Sequence, residues 1–287
     1  MGNDFCAFIL SYGRADRVYT FNTLRAQGYT GKIYIVISDD DNQASEYVKK
    51  YGEQVLTFSK KEAAAAFDEA DNFAERRAVV YARNACWKLA EKVGCKFFIQ
   101  LDDDYSCFSY TVDGERKIQQ VNVKKIKNLD RMFASFLAFF QAGNFRSVAM
   151  AQSGDFLGGV GGNATKASTS RKVMNSFFCS TDRPFRFVGK INEDLTTSVV
   201  AQSRGDLFLT IKDVALQQKQ TQSNAGGLTD IYIASGTYVK SFYSVMFAPS
   251  CVKVRLMNSN HARLHHSVSW VHAVPKIVSE RYRKATG

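Results

Sequence analysis

The sequence predicts an α/β fold with a mostly parallel, Rossmann-like sheet flanked by helices. Three observations carry that expectation. Short apolar blocks alternate with stretches of helical period, glycines close those stretches, and runs of aspartate follow two of the blocks. At 287 residues and 45% hydrophobic content the chain has ample material for a packed core.

In chain order, FCAFIL (5–10) reads as a buried strand, SYGRADR (11–17) as a loop, and ADRVYTFNTLRAQ (15–27) as a helix stopped by Gly28. KIYIVISDDD (32–41) is a second strand, a short helix runs through Tyr51 to Gly52, and QVLTFS (54–59) is a third strand. The Ala-rich residues 60–68 lead into a long helix at 74–94, then the strand KFFIQL (96–101) runs into Asp102, Asp103 and Asp104. SYTVDGERKIQQV (109–121) alternates about Asp113-Gly114, which reads as a hairpin turn. A helix at about 124–142, the strand SVAMAQ (147–152) and the Gly-rich GDFLGGVGGN (154–163) follow. Residues 163–190 are basic, polar and aperiodic, and read as a mobile loop. NEDLTTSVVAQSRG (192–205) starts a helix, LFLTIKDVAL (207–216) is a strand, and residues 228–247 form an amphipathic helix. The expected division is residues 1–150 as one half and 151–287 as a second, within the same compact domain.

The 38 Lys and Arg against 27 Asp and Glu give +11, which favours a polyanionic partner such as nucleic acid or nucleotide. Six cysteines without a CxxC pair, and a start lacking a basic segment followed by a long apolar one, imply a reducing, cytoplasmic setting. The most apolar run, FASFLAFF (133–140), is too short to span a bilayer.

In a parallel sheet the ligand crevice lies outside the carboxyl ends of the strands, where both aspartate triplets fall. Carboxylates one residue apart converge on a hard divalent cation when the backbone turns, and Asp102 and Asp104 suit that task better than the triplet at 39–41. Glu193 and Asp194 open a helix, where free N–H groups hold a carboxylate ionised; the pattern fits equally a cap with Asn192 as capping residue and a catalytic carboxylate. His261, His265, His266 and His272 fall within 12 positions, a hint of a metal or phosphate site, while the absence of paired cysteines argues against structural zinc. Neither a P-loop nor a dinucleotide fingerprint is present, and Arg14 and Arg17 at a helix N-terminus fit a diphosphate or base. Arg83 and Asn84, taken locally, read as helix-surface residues.

In order, SYGRADR, YIVISDDD, YARN, FIQLDDDY, NEDLTT and LHHSVSWVHAVPKI resemble a GT-A glycosyltransferase, and more narrowly the TET-associated glycosyltransferases of bacteriophages, across residues 5–284. The resemblance implies a UDP-sugar held through Mn2+ or Mg2+ on Asp102 and Asp104, with Asp104 the direct ligand and His266, then His265, then His272, completing the metal site. It places Asp39 near the nucleobase and Arg14, Arg17 and Arg83 near the diphosphate, with Ser11, Tyr12, Asn84 and Asp103 also on the donor side. Asp194, with Glu193 beside it, falls where inverting members carry the base.

The implied acceptor is the hydroxymethyl group of a 5-hydroxymethylpyrimidine in phage DNA, such as 5-hydroxymethylcytosine, and the implied sugar is glucose or arabinose. Residues 163–190 hold six Lys and Arg against one Asp, and the tail from 251 seven against one Glu. Arg171, Lys172, Arg183, Arg186, Lys190 and Arg263 are the expected contacts to a duplex. Phe177, Phe178, Phe185 and Phe187 are read either as a wedge that stacks on a flipped base or as a core strand and its neighbour. Two rival readings are transfer to a protein hydroxyl and a non-enzymatic DNA-binding module.

Overall fold

The computed structural model describes residues 2–71, 76, 78–112, 124–156, 170–218, 239–257 and 263–274. The expected turn at Asp113-Gly114, the GGVGGN run, His261 and the first part of the 228–247 helix lie outside the described residues, as does the side chain of Arg263.

The elements are β1 (Phe5–Leu10), α1 (Tyr19–Ala26), β2 (Lys32–Ser38), α2 (Ala44–Tyr51), β3 (Val55–Phe58), α3 (Lys60–Ala64), α4 (Val80–Lys92), β4 (Phe97–Asp102), β5 (Tyr105–Tyr110) and β6 (Lys124–Lys125). Then follow α5 (Leu129–Ala142), β7 (Phe145–Ala151), β8 (Ser176–Ser180), α6 (Glu193–Ser203) and β9 (Leu207–Gln218). Helical residues 239–247 (α7), β10 (Val252–Met257), β11 (Arg263–Val268) and α8 (Trp270–Ala273) complete the chain.

Nine strands form one sheet in the order β3-β2-β1-β4-β8-β7-β9-β5-β6, and β10 pairs β11 in a separate hairpin. The run from β3 to β4 is parallel throughout. Beyond it β8 and β5 run against the other strands, while β7 and β9 pair parallel. The mostly parallel α/β architecture expected from the sequence is therefore present, with the antiparallel pairs lying beyond β4 in the sheet order.

β1 is buried along its whole length because both faces of the sheet are covered. Phe5, Ala7 and Ile9 point into a core shared with Leu24 of α1, Tyr47 of α2 and Phe133 of α5. Cys6, Phe8 and Leu10 point the other way, toward Ala64 of α3 and Trp87 of α4. The parallel register, with Leu10 opposite Val36 and Asp102, places the C-terminal ends of β1, β2 and β4 side by side at one rim.

Local chemistry sets the element limits. Gly28 ends α1 at φ 83°, and a Cβ there would sit 2.6 Å from the Lys127 carbonyl oxygen. The helix expected from 124 starts at Leu129 instead, because Asn128 Oδ1 accepts the Arg131 N–H at 2.9 Å and caps it. The expected mobile loop at 163–190 is corrected where it is described: Phe177, Phe178, Phe185 and Phe187 are buried, with exposures of 1, 1, 9 and 0%. β8 lies between β4 and β7, so these rings form core rather than a wedge. Among the described residues no helix is long and apolar enough to cross a membrane, and all six cysteines are free thiols.

Candidate active site

The acidic turn after β4 sits where the parallel strands end. Its backbone is stitched to the start of α1: Thr20 Oγ1 donates to the Asp102 carbonyl at 2.6 Å and accepts from Tyr105 N–H at 2.9 Å. The Thr20 N–H meets the Asp103 carbonyl at 3.1 Å. The three carboxylates are thereby held in a fixed turn, and each meets its own partners.

Asp103 faces the loop after β1, where Ser11 Oγ donates to it at 2.6 Å and Arg14 Nη1 at 3.2 Å. Tyr47 fastens the same loop through its hydroxyl, which accepts from the Arg14 N–H at 2.8 Å and lies 2.7 Å from Ser11 Oγ. The loop is further pinned by Asp41, which accepts the Gly13 N–H at 2.8 Å, and by Gln43, which accepts the Ala15 N–H at 2.9 Å. Helix α1 therefore begins only at Tyr19, which corrects the placement of Arg14 and Arg17 at a helix N-terminus. Arg17 lies at the surface and pairs with the exposed Asp16.

The other aspartate triplet is engaged in local structure. Asp39 Oδ1 accepts the Lys60 N–H, Asp40 pairs with Lys60 Nζ at 2.7 Å, and Lys60 Nζ also lies 4.5 Å from the centre of the Tyr12 ring. The acidic end of β2 thus anchors α3, and Tyr12 packs at that junction.

Asp102 and Asp104 differ in their partners. Asp102 Oδ1 accepts from Arg83 Nη2 at 3.0 Å. Asp104 Oδ2 accepts from Gln218 Nε2 at 3.0 Å, while its Oδ1 is buried without a hydrogen-bond partner. Burial pushes the Asp102 carboxyl up to about 6, against the Arg83 charge and helped by Asp104 and Asp194. Burial likewise raises Asp103 and Asp104, with Asp102 and Asp103 respectively adding to it.

Arg83 corrects its reading as a surface residue. It is 1% exposed, lies over Phe177 and Phe187, and its Nε donates to Glu193 Oε1 at 3.0 Å. One guanidinium thereby joins the end of β4 to the start of α6, with Nη1 left buried and unpartnered. Asn84, half-buried one residue on, turns away and bonds both the N–H and the carbonyl of Phe187.

At the start of α6 the side-chain cap expected of Asn192 is not made. Asn192 adopts a left-handed φ of 62°, and its amide Nδ2 instead reaches Ser244 Oγ at 2.7 Å and lies 3.2 Å from His266 Nδ1. Asp194 is 7% exposed; Oδ1 accepts the Leu195 N–H at 2.7 Å and Oδ2 accepts from Lys172 Nζ at 2.6 Å. Burial alone would raise Asp194, but the Lys172 charge and hydrogen bond outweigh it and hold the carboxyl below its usual range. Glu193 moves the opposite way, raised by burial against the pull of Arg83.

The tail hairpin brings His266 to this helix start. Burial, then His265 and Lys172, push its imidazole down to about 3, so it is neutral near pH 7. With Asn192 Nδ2 donating to Nδ1, the proton sits on Nε2, and accepting a cation there requires the amide to turn over. The His265 ring lies beside it, tilted by 39°, with 4.1 Å between ring centres. His272 is exposed, with its Nδ1 3.0 Å from Ser269 Oγ.

The residues expected to meet a duplex divide. Arg171 pairs with the buried Asp155, and Lys172 with Asp194. Arg183 donates to the carbonyls of Gly143 and Phe140, and Lys190, only 4% exposed, pairs with Asp71. For these four the expectation of a free basic surface is corrected: each cation satisfies an internal acceptor. Arg186 remains exposed.

For a divalent cation the donor set is incomplete but suited. Among the described residues no group of three or more His, Cys, Asp and Glu converges as a closed metal cage. The unpartnered Asp104 Oδ1 and the neighbouring Asp102 instead offer two hard oxygens, which fits an ion that arrives with phosphate oxygens and water as its remaining ligands.

The profile of the TET-Associated Glycosyltransferase family matches residues 5–227. No curated protein matches the chain. Solved structures with a loose likeness include the glucosyl-3-phosphoglycerate synthase of Mycobacterium tuberculosis in complex with Mn2+, UDP and phosphoglyceric acid, at TM-score 0.47 and 10% identity over 96% of this chain and 90% of that one. S. aureus TarS gives TM-score 0.41 and 16% identity over 74% of this chain and 36% of that one. The family match spans β1 to β9 and includes the acidic turn, Arg83 and the Glu193-Asp194 pair. The chain belongs to the TET-associated glycosyltransferase family and is a glycosyltransferase.

Proposed function

We propose that the enzyme transfers a sugar, glucose or arabinose, from a UDP-linked donor to the hydroxymethyl group of a 5-hydroxymethylpyrimidine in DNA, 5-hydroxymethylcytosine in the first instance. The setting is the cytoplasm of a phage-infected cell, and the anomeric centre is inverted. The observation that carries the chemistry is the Asp102–Arg83–Glu193 chain, in which both contacts are 3.0 Å. It brings the acidic turn after β4 next to Asp194, so a leaving-group site and a proton acceptor share one centre.

Asp102 and Asp104 would hold the cation, with His266 as the candidate protein ligand from the tail. Bound there, a divalent ion supplies positive charge to a departing diphosphate. Arg83 stays charged between its two carboxylates and fixes the orientation of Asp102. The acceptor oxygen bonds to the anomeric carbon as the bond from that carbon to the diphosphate oxygen breaks. Asp194 takes the hydroxyl proton, consistent with its ionised carboxylate. Ser11 and Arg14 hold Asp103, which ties the loop after β1 to the acidic turn.

The DNA acceptor is supported by the +11 charge and by the exposed Arg186. The test is incubation with labelled UDP-glucose or UDP-arabinose and Mn2+, using duplexes with and without 5-hydroxymethylcytosine. Label on the modified duplex alone supports this acceptor. Label on co-incubated protein, with both duplexes inert, would transfer the reading to a protein hydroxyl.

A further inference from the structure

The lysine at the proposed proton acceptor was expected to face a duplex, and the fold gives it another position. The segment 170–175 leading into β8 is bolted to α6: Ser198 Oγ donates to the Asp194 carbonyl at 2.7 Å and accepts the Val173 N–H at 3.3 Å. On its other side the Lys172 carbonyl accepts from Thr210 Oγ1 of β9 at 3.4 Å. Ser198 therefore sets the distance between the backbones that carry Lys172 and Asp194, and the side chains meet at 2.6 Å.

We propose that Lys172 is a positioning residue for the proton acceptor: it clamps Asp194 Oδ2 while Leu195 N–H holds Oδ1, leaving the second lone pair of Oδ2 for an incoming hydroxyl. This rests on Asp194 being the base. An ion pair this deep is an inefficient way to gain stability, since desolvating both charges offsets their attraction. Its value lies in the carboxylate it holds. Burial favours a proton on Asp194, and the Asp194 charge in turn raises Glu193 on its own helix and Asp102 at the end of β4. Lys172 first, and Lys240 of α7 after it, oppose that burial, and His266 of β11 completes the surroundings. Without Lys172, a buried carboxyl beside two others would bind a proton at higher pH and lose its capacity to accept one from substrate.

The experiment is a carboxyl 13C NMR titration of the full chain labelled at aspartate, with Asp194 assigned through Asp194→Asn, together with the pH profile of kcat/KM. Lys172→Met should move the Asp194 midpoint up by at least about one pH unit, and the acid limb of kcat/KM should rise with it. Lys172→Arg, which keeps the charge, should leave both close to wild type. If the methionine variant does not fold, Lys172→Gln takes its place. An unmoved Asp194 midpoint in the folded neutral variant overturns the proposal. Wild-type transfer by Asp194→Asn would instead overturn the assignment of the base, with the NMR shift still reporting on the clamp.

Discussion

Arg83 Nε donates to Glu193 Oε1 at 3.0 Å, joining residues 110 positions apart inside a guanidinium site that is 1% exposed. The same side chain holds Asp102, so one cation sets the spacing between the acidic turn after β4 and the start of α6. Three groups that would be unfavourable alone in the core become compatible as a set.

Removing that cation strands two largely buried carboxylates. Arg83→Met should destabilise the fold by about 3–5 kcal/mol, measured by urea unfolding. Arg83→Lys should recover part of the stability but little of the activity, because a single ammonium cannot reach both carboxylates in fork geometry. Equal activity in the lysine variant would show that the two-pronged contact is dispensable.

The Asp102 carboxyl gives stability a defined pH dependence. Its folded value of about 6 lies above the unfolded value of roughly 3.9, so between the two the folded state binds more proton. That contribution is fully present below about pH 4 and is lost as pH rises through about 6. Unfolding of wild type and Asp102→Asn across this window should show the wild type losing about 3 kcal/mol relative to the variant. A flat difference, or a wild type that gains on the variant as pH rises, would contradict the burial assigned to this carboxylate.

Two basic residues should separate stability from DNA affinity. Lys190 pairs with Asp71 in a buried site, so Lys190→Ala should lower the melting temperature and change the salt slope of DNA binding little. Arg186 is exposed, so Arg186→Ala should leave the melt within about 0.5 kcal/mol of wild type and reduce the salt slope by about 1. Fluorescence anisotropy over a salt series reads both.

Much of the fold was legible because the parallel half obeys simple rules. FCAFIL is β1 from Phe5 to Leu10, and the glycine stops at Gly28 and Gly52 end α1 and α2 where period and propensity place them. The acidic ends of β2 and β4 follow from the same reading, since carboxylates there sit outside strand ends. β8 escaped it. A five-residue strand buried on both faces has no alternation, and the polar residues around SFFCS mask it.

The site was legible in its residue types and obscure in its partners. Nothing in YARN distinguishes a buried Arg83 from a surface one, because helix period alone does not say that Asp102 and Glu193 converge on it. Basic residues in 163–190 suggested a polyanion surface, yet Arg171, Lys172, Arg183 and Lys190 meet acceptors brought close only by the folded sheet. Asn192 fits a capping pattern by type, and its left-handed backbone turns the amide toward Ser244 and His266 instead.

Calorimetric titration of UDP-glucose, repeated with UDP-arabinose, into the full chain with and without Mn2+ tests the centre most directly, using wild type and Asp104→Asn. Mn2+ should tighten donor binding by at least about tenfold in wild type, a gain of about 1.4 kcal/mol, and have little effect in the variant. Donor binding indifferent to Mn2+ and Mg2+, or tightened equally in Asp104→Asn, would contradict a metal-assisted leaving-group site at the end of β4.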